Sequence, residues 1–306
     1  MTIIGRKLWH ALLFCGLAAF AGAAICTAPA DLAAERKAAL DEAEKAYIQG
    51  PQTVQLRAQA TLALPKGYIF VPQQQAEALL KVMGNVGGST LLGMVLPEGD
   101  DAQWMAVVRY VDAGYIKDDD AKTWNAEELL KNLQEGTIAQ NEERRNRGVP
   151  EMEVVGWVQP PAYDSMAQRL AWSASTRDKN AQPGAGQGVN YNTYVLGREG
   201  YVSLNLVTDL SRIEQYRPDA KQLLASLNFN DGKRYADFNS STDKVAEYGL
   251  AALIGGIAAK KLGLFAMLGV FLLKFWKVAL LAAAGAGAVF FRKKKPKEDS
   301  TPPPMA

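Results

Sequence analysis

The chain has 306 residues but contains one histidine and two cysteines, and all three lie near its beginning. His10 and Cys15 fall within the first apolar run, and Cys26 follows it directly. The rest of the chain therefore cannot build His/Cys zinc sites, an internal disulfide, or Ser-His-Asp or Cys-His catalysis. P-loop, GxGxxG and EF-hand motifs are also missing from the sequence. No cofactor or metal is indicated, and an enzyme here would have to use carboxylates, Lys, Tyr or Ser.

The first 30 residues have the pattern of a signal peptide. Arg6 and Lys7 precede an apolar run that extends over residues 8–25. Small residues at 21–23 and at 28–30 offer two places for cleavage. An uncleaved signal anchor is the alternative. A lipoprotein is disfavoured because Ile25 is bulky for the position before a lipid-modified cysteine.

A second apolar stretch covers residues 249–291 and ends at Arg292, Lys293, Lys294 and Lys295. Its length allows one long tilted transmembrane helix over 264–291 or a helical hairpin around Lys274 and Lys277. The basic tail should remain in the cytoplasm, which with an exported domain favours a single span. Lys274 and Lys277 then either meet an acidic partner within the membrane or extend to its surface.

Charge is distributed unevenly along the chain, whose formal net charge is +2. Residues 249–306 carry nine basic and two acidic side chains, and Arg6 and Lys7 add two positive charges, which leaves residues 31–248 at about −7. An acidic domain does not suit nucleic acid, whose phosphates require clustered Lys and Arg. The expected contacts are the lipid bilayer at the C-terminus and an unknown envelope protein or a second copy of the chain.

The central part of the chain predicts an α+β fold with antiparallel sheet and a few packed helices. Val54–Leu64 alternates like one strand, and Val154–Val158 predicts a strand that closes at Pro160 and Pro161. Trp124–Arg147 predicts the longest helix, and Gly197–Gly200 predicts a hairpin turn. A split into two lobes near 148–151 is an alternative to a single domain. The predicted organisation is a signal peptide at 1–30, an N-terminal helix or spacer at 31–50, the exported domain at 51–230, a linker at 231–247, a membrane anchor region at 248–291 and a basic, proline-rich disordered tail at 292–306.

Three acidic residues in a row, Asp118, Asp119 and Asp120, form the densest acidic cluster. Carboxylate oxygens can bind a divalent cation, although the spacing is not that of a calcium loop. Alternatively, Asp120 caps the helix that follows.

An aromatic and proline-rich region contains Trp157, Tyr163 and Trp172, which could form a surface for a peptide or partner. Such residues more often fill a core beneath a sheet. Further along, Asn190, Tyr191, Asn192 and Tyr194 lie on a predicted strand. We expect the two asparagines on one face and the two tyrosines on the other, as in ordinary sheet packing.

A series of short motifs occurs in a fixed order along the chain. They are Leu64–Gly67, Met83–Asn85, Leu92–Met94, Gly114–Tyr115, Asp118–Ala121, Gly156–Trp157, Pro160–Asp164, Asn190–Asn192, Val195–Arg198, Gly200, Leu204–Asn205, Gly232–Phe238 and Tyr248–Leu250. Together they make residues 50–290 resemble a bacterial family known as domain of unknown function 2167, described as predicted membrane-anchored proteins. The resemblance implies a membrane-anchored envelope protein and supplies no catalytic residue.

The sequence therefore predicts an inner-membrane protein whose main domain faces the periplasm and whose tail lies in the cytoplasm. The predicted function is noncatalytic binding of another protein or self-assembly. A carboxylate-based enzyme, or a binder of a small ligand or cation, is the alternative.

Overall fold

The computed structural model describes residues 30–98, 103–146, 148–182 and 184–255, and within them strands form two antiparallel sheets. The predicted α+β class is confirmed. The larger sheet has the strand order β1-β4-β5-β6-β10-β9-β8-β7, and the smaller has β11-β3-β2. In chain order the strands are β1 Ile48–Gln49, β2 Gln52–Leu56, β3 Ala60–Leu64, β4 Tyr68–Pro72, β5 Leu91–Pro97, β6 Met105–Val111, β7 Met152–Asp164, β8 Arg169–Asp178, β9 Gly188–Leu196, β10 Tyr201–Asp209 and β11 Leu227–Phe229.

The α-helices are α1 Ala30–Ala46, α2 Gln73–Val82, α3 Ala126–Asn146, α4 Ile213–Ala225 and the single turn α5 Ala252–Gly255. Short 3-10 turns occupy Asp119–Lys122, Leu210–Arg212 and Tyr235–Asp237. The longest predicted helix is thus confirmed within two residues at each end. It begins where Asn125 accepts hydrogen bonds from the backbone N–H groups of Glu127 and Glu128, as an N-cap residue does.

One face of the large sheet is covered by the small sheet and α4. The alternating residues of β9 and β10 place Tyr191, Leu204 and Leu206 on this face, where each is at most 1% exposed. Leu62 of β3 and Leu223 of α4 pack against them and are fully buried. This is the main core of the domain.

The opposite face carries helices at both ends but not in the middle. At one end, α1 and α2 bury Ala43 and Leu79 against β4, β5 and β6. At the other end, α3 and the chain around Leu250 cover Leu170 and Trp172 of β8. The two helical layers are separate, so the central strands β10 and β9 lie between them.

Residues 230–255, which we call the C-terminal strap, run along the domain. Tyr115 forms a parallel bridge with Val245, and its ring stacks between the rings of Tyr235 and Phe238 at centroid distances of 4.3 and 3.8 Å. Arg198 forms a bidentate ion pair with Asp243, with N···O distances of 2.6 and 2.8 Å. The predicted linker 231–247 lies within this strap.

Two predicted strand boundaries are wrong. The alternating run Val54–Leu64 is two strands joined by a turn, in which Arg57 adopts a left-handed φ of 56°. The strand predicted to close at Pro160 continues to Asp164. Proline is tolerated there because β7 is the edge strand of the sheet, and its pairing with β8 is irregular around Gln159.

The predicted signal peptide and most of the predicted anchor region, including Lys274, Lys277 and Arg292–Lys295, lie outside the described residues. Among the helices of residues 30–98, 103–146, 148–182 and 184–255, none is long and apolar enough to cross a membrane.

Candidate binding groove

A groove of about 950 Å³ lies between the two helical layers, directly over β9 and β10. A smaller extension of about 210 Å³ continues beneath α3. Asn190, Asn192 and Asn205 line both spaces. This volume falls within the range of small-molecule pockets and is open enough for a short length of chain.

The floor of the groove is a row of polar side chains on adjacent strands. Asn205 of β10 lies opposite Asn192 of β9, and Ser203 lies opposite Arg109 of β6. Directly opposed residues on one sheet face have Cβ atoms about 4.5–5.5 Å apart. The sheet therefore holds amide, hydroxyl and guanidinium groups side by side on a rigid surface.

Two of these amides are withdrawn from solvent. Asn192 is 9% exposed, and its Nδ2 donates to the carbonyl of Asn190 at 3.2 Å. The Oδ1 atom of Asn205 is buried and accepts no hydrogen bond from the described residues. A buried acceptor without a partner costs about 1–3 kcal/mol, so a bound donor at this atom would stabilise the complex.

The walls of the groove are mainly apolar and are fixed to the sheet. Met83 and Val86 follow α2 on one side, and Pro150 and Met152 follow α3 on the other. Asn141, which is 2% exposed, secures the second wall because its Nδ2 donates to the Met152 carbonyl at 2.8 Å and its Oδ1 accepts from the Met152 N–H at 2.9 Å. Methionine side chains adapt their shape to different ligands.

Arg109 supplies a positive charge at the side of α2. It donates to the carbonyls of Val86 and Gly87 and to the Thr90 hydroxyl, at 2.9, 2.5 and 3.3 Å. Burial lowers the pKa of Arg109, and within the described residues it forms no ion pair. Asp178 and Asp209 lie at the end of the groove formed by the last residues of β8 and β10.

The three predicted acidic residues lie elsewhere, beside the C-terminal strap. Asp118 accepts a hydrogen bond from the Tyr163 hydroxyl at 2.8 Å. Asp120 accepts the backbone N–H groups of Leu250 and Ala251 at 3.1 and 3.0 Å, so it caps a segment distant in sequence rather than the following helix. Asp119 is exposed. In the described part of the chain, no group of three or more His, Cys, Asp or Glu residues is placed to hold a metal ion.

The three predicted aromatic residues lie on the side of α3 and β7. Trp172 is 7% exposed and meets Trp157 edge to face at 5.8 Å, so it belongs to the core. Trp157 is half-buried and donates from Nε1 to the Ala126 carbonyl at 2.9 Å. Burial and the hydrogen bond to Asp118 raise the pKa of Tyr163, which keeps its hydroxyl protonated as a donor. A partner-binding role for the three residues stays a prediction.

The sequence contains a signal for the groove, although its pattern is also typical of ordinary sheet packing. The two asparagines of β9 do share one face as predicted. The placement of the tyrosines was wrong, because Tyr191 packs in the main core whereas Tyr194 lies on the asparagine face. Asn205 and Arg109 were not predicted as site residues. Polar side chains that share one face of two neighbouring strands are the pattern that indicates such a site.

The family model described as Protein of unknown function (DUF2167) matches residues 48–284. The chain belongs to this family. Residues from several motifs that carry the family resemblance line the groove, namely Met83, Gly84, Asn85, Asn190, Asn192 and Asn205. Others, including Tyr115, Asp120 and Gly249, hold the C-terminal strap.

No curated protein sequence matches the chain. Among solved structures, cyanobacterial PsbP from Synechocystis is similar with 10% identity and a TM-score of 0.35, over 58% of this chain and 92% of that one. The Ran-binding protein Mog1p of Saccharomyces cerevisiae is similar with 11% identity and a TM-score of 0.33, over 63% of this chain and all of that one. Values this low carry no argument about function.

Proposed function

We propose that this member of the family is a noncatalytic binding module of the bacterial envelope, and that the groove over β9 and β10 receives a segment of another protein. The observation that carries the proposal is the buried Oδ1 of Asn205, which has no hydrogen-bond partner among the described residues and lies within a polar floor and apolar walls. A protein segment supplies N–H donors for such a floor and apolar side chains for such walls.

The polar groups of the floor suit recognition better than catalysis. Carboxamides and a guanidinium neither gain nor lose protons near neutral pH, and the groove's serine has no histidine or lysine base among the described residues that line the groove. Side chains of this kind bind a ligand by hydrogen bonding and supply no general acid or base near neutral pH.

The cellular setting of the proposal comes from the two ends of the chain. The apolar run behind Arg6 and Lys7 supports export, and the apolar stretch that ends at Arg292–Lys295 supports a C-terminal membrane anchor with the tail in the cytoplasm. The domain would then face the periplasm, where its partner is an envelope protein or a second copy of the chain.

The alternative, an enzyme or a cation binder that uses Asp118, Asp119 and Asp120, has less support. Asp118 and Asp120 already accept hydrogen bonds within the fold, from Tyr163 and from the backbone of the strap. Replacement of all three by asparagine should lower thermal stability. Loss of a catalytic activity or of cation binding without any fall in Tm would favour the alternative instead.

The test is in-cell photocrosslinking from single sites on the full chain. A photoreactive residue at Val86, which is 60% exposed at the groove, is compared with one at Met166, which is 91% exposed at the turn between β7 and β8. We expect one dominant adduct from Val86 and none from Met166. A product of twice the chain mass would identify self-assembly. Equal labelling from both sites, or none from Val86, would contradict the proposal.

A further inference from the structure

We infer, on the basis of the proposed function, that the groove selects an acidic peptide, whose side-chain carboxylate is received by Arg109 and Ser203. The inference starts from the charges that line the groove. The arginine side chains there are Arg109, Arg144 and Arg177, of which Arg177 is paired with Glu153. Arg144 donates to the Pro150 carbonyl, whereas Arg109 lies over the sheet itself.

The guanidinium of Arg109 is fixed in place and retains donors for a ligand. Its three hydrogen bonds go to Val86, Gly87 and Thr90, all of them neutral acceptors. A guanidinium has five N–H donors, so two of them have no acceptor among the described residues. The guanidinium is half-buried, which weakens its hydration. A carboxylate that binds there would replace the hydrogen bonds to water that burial removes.

The neighbouring side chains complete a site for a carboxylate on an extended chain. Ser203 is the direct cross-strand partner of Arg109, and its hydroxyl forms no hydrogen bond within the described residues. Asn205 follows two positions later on the same face, about 7 Å along the strand. Alternate residues of an extended peptide repeat over the same distance. A carboxylate at Arg109 and Ser203 thus places a peptide N–H near Oδ1 of Asn205.

Other anions fit the groove less well. Asp178 and Asp209 also line it, and residues 31–248 carry a net charge of about −7, so a polyanion such as nucleic acid would be repelled. A single carboxylate on a peptide avoids this repulsion because charges beyond about 10 Å are screened at 0.1 M salt.

The test measures peptide binding to the full chain in detergent micelles by fluorescence anisotropy. The probes are three labelled ten-residue peptide pools, capped at both ends, that differ only in a central Glu, Gln or Lys. Arg109→Gln removes the cation. Ser203→Asp leaves Arg109 and its hydrogen bonds to the chain after α2 in place. It places a carboxylate of the protein itself beside the guanidinium, where it competes with the carboxylate of the peptide. Arg57→Gln is the matched control, because Arg57 also donates to two backbone carbonyls, those of Ser89 and Leu91, but does not line the groove.

We expect the Glu pool to bind at least about tenfold more tightly than the Gln and Lys pools. Arg109→Gln and Ser203→Asp should each remove that preference, whereas Arg57→Gln should retain it. Equal binding of the three pools, or a Glu preference that Ser203→Asp leaves unchanged, overturns the carboxylate assignment while the groove stays a binding site. No saturable binding by any pool overturns both the assignment and the function proposed for the groove.

Discussion

The contact between Asp120 and Gly249 gives the sharpest test of how the C-terminal strap is held. The Asp120 carboxylate accepts the N–H groups of Leu250 and Ala251. It can do so only because residue 249 has no side chain. A Cβ atom at Gly249 would lie 2.4 Å from Oδ2 of Asp120, and the three nearest atoms to that Cβ all belong to Asp120. The hydrogen bonds of Asp120 therefore require a glycine at position 249.

The expected magnitudes follow from this geometry. Asp120→Ala removes the acceptor of two N–H groups in the turn that leads into α5, and the loss of such a cap costs about 0.5–2 kcal/mol. Gly249→Ala forces the carboxylate away and loses the same hydrogen bonds, so we expect a similar cost, reduced by up to about 1 kcal/mol because alanine restricts the unfolded chain. In the double variant the clash is absent. The second substitution should then be neutral or slightly stabilising.

The assay is thermal unfolding of the full chain in micelles, for wild type, both single variants, the double variant and the exposed control Asp119→Ala. About 1 kcal/mol corresponds to about 2–4 °C in Tm for a domain of this size. We expect both single variants to lower Tm, the double variant to match Asp120→Ala, and Asp119→Ala to change little. Additive effects in the double variant would refute the proposed contact, since independent sites add within about 0.5 kcal/mol.

Two further predictions concern the groove wall and the strap. Asn141→Ala leaves both backbone groups of Met152 without partners, so denaturant unfolding should show a loss of about 3 kcal/mol, against less than about 0.5 for Gln140→Ala. If the two variants are equally stable, the wall is not held in this way. The Arg198 guanidinium, followed by the Asn239 N–H, holds the pKa of Asp243 below its ordinary 3.8. The ion pair therefore stabilises the fold above pH 3.8, and this stabilisation is lost as the pH falls below 3.8. Asp243→Asn should then show a smaller fall in Tm between pH 7 and pH 3 than wild type. An equal fall would show that the ion pair does not stabilise the fold.

Local features of the fold were predictable from the sequence because their causes are local. Gly197–Gly200 lies between two alternating runs and does form the turn between β9 and β10. The run Val54–Leu64 shows where this reasoning fails. Its alternation continues through a turn, because Arg57 adopts a left-handed conformation that the pattern does not reveal.

Contacts distant in sequence were not predictable from single motifs. Asp120 was considered as a cap for the helix beside it, yet it caps backbone groups 130 and 131 positions later. Capping chemistry was identified correctly, since a carboxylate near free N–H groups is favoured wherever they come from. The partner is decided by how the strap packs against Tyr115 and Arg198, which requires the whole domain.

The groove could not be predicted for a different reason. Alternation assigns a side chain to a face of the sheet, but it does not tell whether that face is covered. Asn192 and Asn205 would be ordinary surface residues on an open face and costly ones under a helix. They form a site because α2 and α3 cover the two ends of the face and leave a gap over β9 and β10. The same hairpin continues to Arg198, which binds the strap through Asp243, so groove and strap are built on one pair of strands.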